Sequence, residues 1–74
     1  MDLDEKYLPD VATRTAFLEN RIAEYKRQLF GGQLEILAAE KNGEKRTVVQ
    51  QKDMMEQIVG NIDILVAELS KLSE

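Results

Sequence analysis

Residues 33–50 read Gln33-Leu34-Glu35-Ile36-Leu37-Ala38-Ala39-Glu40-Lys41-Asn42-Gly43-Glu44-Lys45-Arg46-Thr47-Val48-Val49-Gln50, and their conformation decides the fold. Asn42-Gly43 between apolar stretches is the signal of a two-residue β-hairpin turn, because both residues tolerate a left-handed backbone. On that reading Gly31-Gly32 ends a first helix and residues 33–50 pair as two strands. Glu40 then faces Lys45, and Lys41 faces Glu44. The same Asn-Gly pair also ends helices. Leu34 to Lys41 consists mostly of good helix formers, and two glycines inside a packed helix cost only about 2 kcal/mol. Thr47 and Gln50 have the spacing of a capping box, which opens a second helix.

Outward from this stretch the periodicity favours helix. Val11, Thr15, Leu18, Ile22, Tyr25, Leu29, Gly32, Ile36 and Ala39 fall at alternating steps of four and three, the spacing that holds one stripe on one side of a helix. Val48, Gln51, Met55, Ile58, Ile62, Leu65, Leu69 and Leu72 repeat it, and neither stripe contains a charge. The favoured fold is therefore all-α: an antiparallel, coiled-coil-like two-helix hairpin. Helix 1 runs from about residue 10 to 41, the turn spans 42–46, helix 2 runs from about 47 to 73, and residues 9–74 form one domain. The helix, β-hairpin 33–50, helix arrangement stays open as the α+β alternative.

A turn at 42–45 pairs the stripes so that facing residue numbers sum to 87. Leu18 meets Leu69, Ile22 meets Leu65, Tyr25 meets Ile62, Leu29 meets Ile58, and the long Met55 fills the space left by Gly32. Ile36 extends the same core toward the turn. Pro9 disfavours helix in the residue before it, and Asp10 suits a helix N-terminus. Residues 1–8 thus form an extended acidic arm, with Leu3, Tyr7 and Leu8 as candidate docking residues among Asp2, Asp4 and Glu5.

Seventy-four residues seldom bury enough apolar area to fold unaided, and the chain has no Cys for disulfides and no His for a metal site of the usual kind. Self-association or a partner protein is the remaining source of stability. Helix 1 has a second apolar face about 100 degrees round from Ile22 and Leu29, made by Ala16, Ala23, Phe30 and Leu37 at intervals of seven with Leu34 beside them. Met54, Val59 and Val66 widen the face of helix 2. Phe30, Leu34, Leu37, Ala23, Met54, Val59 and Val66 are the candidate interface, and a homodimeric four-helix bundle is its simplest use.

Other function classes are poorly supplied. Catalytic, cofactor-binding and metal-ligating residues are expected to be absent: the carboxylates are spread along both helices, and Glu-x-x-His pairs are impossible without His. Gly31-Gly32 lacks the Lys and Ser/Thr of a phosphate loop. Lys41, Lys45, Arg46 and Lys52 are interleaved with Glu40, Glu44 and Asp53, and the net charge is -4, so nucleic acid is an unfavoured partner. No apolar run exceeds the four residues of Ile64 to Ala67, far too short for a membrane span, and acid replaces the basic start of a signal peptide. The expectation is a cytoplasmic protein, or one held within a larger assembly such as a virion.

The sequence therefore points to a non-enzymatic structural or assembly protein that self-associates and joins a larger complex through an apolar helix face. The alternative is a small acidic adaptor or inhibitor of one partner protein. If the mixed fold holds, the order helix, hairpin, helix over about 45 residues resembles that of small phage head-tail joining proteins.

Overall fold

The computed structural model describes residues 3–73. Among them lie a 3-10 turn, Glu5–Tyr7, and two α-helices, α1 (Val11–Lys41) and α2 (Lys45–Leu72), and no strand. Residues 33–50 thus form helix, turn and helix, which excludes the β-hairpin 33–50 and with it the element order shared with head-tail joining proteins. Gly31 and Gly32 lie inside α1. The helix formers of residues 34–41 and the uninterrupted seam outweigh the strand signal of Asn42-Gly43.

Asn42-Gly43 instead closes α1. Gly43 has φ +71°, the left-handed value that lets the chain leave a helix, and is the only residue described with positive φ. Its N–H donates to the Glu40 carbonyl at 3.3 Å and the Glu44 N–H to the Ala39 carbonyl at 2.9 Å. These two bonds make a Schellman cap. Glu44, at φ -86° and ψ 76°, is the centre of an inverse γ-turn, with the Lys45 N–H donating to the Gly43 carbonyl at 3.1 Å. α2 starts there, two residues before Thr47, and no side chain caps it. The capping box of Thr47 and Gln50 therefore does not form, because the Schellman turn reverses the chain before Thr47 is reached.

The other end of α1 is capped by a side chain. The Asp10 carboxylate accepts from the Thr13 N–H at 2.8 Å. Hydrogen bonds from the Thr13 side chain, then from its backbone N–H, hold the Asp10 carboxyl below its ordinary value of 3.8, and Arg14 adds a smaller electrostatic pull in the same direction. A lowered carboxyl contributes stability that is present above its unfolded value and is lost as pH falls through the lower folded one. The Thr13 amide resonance should accordingly titrate with a midpoint below 3.8, and Asp10→Asn should keep the helix start while abolishing that titration.

The N-terminal segment is not simply extended. The Lys6 N–H donates to the Asp4 carboxylate at 3.2 Å and opens the 3-10 turn, and Glu5 lies 3.4 Å from the Arg14 guanidinium. Leu3 and Tyr7 are exposed, whereas Leu8 is half-buried. Residues 1 and 2 of the expected arm lie outside the described residues.

The two helices pack only on each other. Their extents are 52 × 22 × 19 Å and the radius of gyration is 16.4 Å, against about 11 Å for a compact chain of this length. The seam is narrow: Ile22, Ala39 and Ile58 are the buried apolar side chains, with Gly32 buried beside them. Leu18, Tyr25, Leu29, Ile36, Met55, Ile62, Leu65 and Leu69 are half-buried. Val11 departs from the seam at 49% exposed, because its level on the hairpin lies beyond Leu72, the last helical residue of α2. Register is fixed at Gly32, where an added Cβ would sit 3.1 Å from Met55 Cγ and 3.2 Å from Sδ. One helical turn nearer the bend, Gln51 Nε2 donates to the Glu35 carboxylate at 2.7 Å.

Candidate protein-docking faces

A two-helix hairpin has two broad faces, one on each side of its seam, and the grooves along them show which side chains share a face. Ala23 and Val66 line one groove together with Glu19, Lys26 and seam residues Ile22 and Leu69. Nearer the bend the same face carries a groove between Glu40, Lys45 and Val49. Phe30 and Leu37 follow Ala23 at intervals of seven, and Val59 precedes Val66 by seven, so all of them stand on this side. It is called the Phe30 face below.

The opposite side is the Phe17 face. Phe17, Arg21, Tyr25, Asn61, Ile64 and Leu65 line one of its grooves. Another, nearer the bend, holds Gly31, Gly32, Gln51 and Met54. A third lies at the open end of the hairpin, where Leu8 and Pro9 lie near Phe17, Leu18 and Leu72.

The structure therefore divides the interface that the sequence suggested. Ala23, Phe30, Leu37, Val59 and Val66 share a face. Met54 is on the other side, beside Gly31. Leu34, four residues after Phe30 and eleven after Ala23, turns toward the outer back of α1, away from the seam. Three large apolar side chains missed by the sequence reading are as exposed as those it selected: Phe17 at 63%, Ile64 at 63% and Val49 at 58%, against Phe30 at 62%. Phe17 and Ile64 stand outside both heptad stripes, and only the assembled hairpin shows that they flank one groove.

Charge distinguishes the faces further. The three ion pairs among the described residues are Arg14–Glu5 at 3.4 Å, Arg21–Glu24 at 3.9 Å and Lys71–Glu68 at 3.1 Å. Each includes a residue that lines a Phe17-face groove or is spaced seven from one that does. Arg21 also lies over the Tyr25 ring, 5.5 Å from its centroid. On the Phe30 face Glu19, Lys26, Glu40, Lys45, Lys52, Glu56 and Asp63 are exposed and form no ion pair among the described residues.

No cluster of three or more potential metal-ligating side chains occurs among the described residues, and no helix is long and apolar enough to cross a membrane. No family model matches the chain, and neither the curated proteins nor the solved structures contain a match to it.

Proposed function

We propose that this chain is a non-enzymatic assembly protein that self-associates through the outer surface of its helical hairpin and so completes a core that one copy leaves unfinished. The observation that carries this reading is surface area. The chain exposes 5985 Å², whereas a compact monomer of its 8.5 kDa mass exposes about 4,650 Å². The excess of about 1,300 Å² is larger than the roughly 800 Å² that each partner contributes to a stable interface of ordinary size. It includes Phe30, Leu37, Val49, Val59 and Val66, all at least 46% exposed, and a monomer retains no such concentration of apolar side chains without a use for it.

The reading is tested by the mass in solution, measured by light scattering over a range of concentrations. The wild type is expected to run as a dimer or larger oligomer, and Phe30→Glu to dissociate it while keeping the helical signal. A helical monomer at every concentration would overturn self-association. The second reading, an acidic adaptor for an unlike protein, draws on the exposure of Tyr7 at 70% and Leu3 at 52%, in the segment that leads to Leu8 and Pro9 of the open-end groove. Saturable one-to-one binding that is lost when Tyr7 and Leu3 become Ser would favour it.

A further inference from the structure

We infer that the occupant of the Phe30 face is a second copy of this chain, packed antiparallel about a two-fold axis that passes the level of Gln33 in α1 and Met54 in α2. This deepens the self-association reading and rests on it.

The Phe30 face is self-complementary along α2. Lys45, Val49, Lys52, Glu56, Val59 and Asp63 succeed one another at steps of four and three along the Phe30 face. Reversing this row against itself about residue 54 sets Lys45 on Asp63, Val49 on Val59 and Lys52 on Glu56 of the other copy. Every position meets a complementary one, and the two-fold makes each pairing twice. Opposite charges and apolar pairs stand together with no like-charge encounter.

α1 gives its own centre. Along its part of the face stand Lys26, Phe30, Gln33, Leu37 and Glu40. Lys26 and Glu40 are opposite in sign and lie equally far from residue 33. Phe30 and Leu37 are centred half a residue beyond it. Reversal about Gln33 sets Lys26 on Glu40 and Phe30 on Leu37 of the second copy, with Gln33 beside its own symmetry mate, where one amide can both donate and accept.

These two centres lie on different helices, and one rigid operation must satisfy both. It does. The register fixed by the Gly32 and Met55 contact places residue 33 of α1 level with residue 54 of α2. A parallel arrangement, with both bends at one end, instead brings Glu40 to Lys45 and Lys26 to Asp63 of the second copy, so rescue by charge exchange would appear in those combinations and not in the ones paired by the antiparallel register. Full antiparallel overlap, centred near residue 26 of α1, sets Lys26 against its own symmetry mate. The half-overlapped dimer covers residues 23–43 and 44–64, about 30 Å of each hairpin. The charged groups it pairs are ones that lack an ion pair within the described chain.

Charge exchange tests the register, since Lys45 and Asp63 are separated by eighteen residues of one helix and cannot meet within a chain. Dissociation constants are measured by sedimentation for Lys45→Asp, Asp63→Lys and the double variant, with Lys26→Glu, Glu40→Lys and their double as an independent set. All positions are exposed, and circular dichroism verifies that each variant keeps its helices. Each single change is expected to weaken the dimer about tenfold and each double to return within about threefold of wild type. Singles that weaken without recovery in the doubles, or a Lys26→Glu change that tightens the dimer, would overturn the register and leave self-association standing. A wild type that is monomeric throughout would overturn both.

Discussion

Ile58→Ala is expected to lower the thermal midpoint of the chain by about 15 °C, from a loss of about 3 kcal/mol when a buried branched side chain is cut back. Ile58 is 7% exposed and lies on the seam beside Gly32 and Gln51. The effect is large relative to the whole, because a chain of this size with one narrow core rarely has more than about 3–5 kcal/mol of stability. Ile64→Ala is the control. It removes the same atoms six residues along the same helix, from a side chain that is 63% exposed, so its cost should stay within about 0.5 kcal/mol. Circular dichroism melts at one fixed protein concentration compare the two. Equal losses would mean that the seam does not divide Ile58 from Ile64 as described.

The four glycines predict effects of opposite sign. Gly43→Val should destabilise the hairpin by about 2 kcal/mol, since a β-branched residue is poorly accommodated at φ +71°. Gly31→Ala should stabilise it by about 0.8 kcal/mol, because nothing lies within 4 Å of the added Cβ and alanine is the better helix former. Gly60 resembles Gly31 in having open space. At Gly32 the same gain in propensity is opposed by Met55, whose Cγ and Sδ would have to give by a few tenths of an ångström. Denaturant midpoints for Gly43→Val and Gly31→Ala that shift in the same direction would contradict this account of the bend.

The all-helical hairpin was legible because two uncharged stripes of seven-residue period run on either side of one short polar segment. Periodicity reports which residues lie on a seam, and it does so without knowing the partner. It does not report which flank of one helix lies on the same side as which flank of the other. Met54 and Val59 both border the seam of α2, five residues apart, and the sequence treats them alike. In the folded hairpin Met54 joins Gly31 on one face while Val59 shares the other with Val66. Phe17 and Ile64 escaped notice for the same reason, since their groove is made by two helices and belongs to neither. The local signal at Thr47 misled because a capping box is a four-residue pattern, and the Schellman bonds from Gly43 and Glu44 had already set where α2 begins.

The bend at Gly43 also sets the order in which the molecule comes together. Each pairing of α1 with α2 closes a loop around this one turn, short near Ala39 and progressively longer toward Leu18 and Leu72. Chain closure is easiest where the loop is shortest, so the helices should zip from the bend outward on the fast timescale of proteins with local contacts. Unzipping runs the other way. Ala39, only 2% exposed beside the bend, is expected to belong to the slowest-exchanging part of the backbone, and the open end with Leu8, Phe17 and Leu72 to part first. Hydrogen exchange would trace this as a protection gradient along the hairpin, and anything that clasps the open end would govern the lifetime of the paired state.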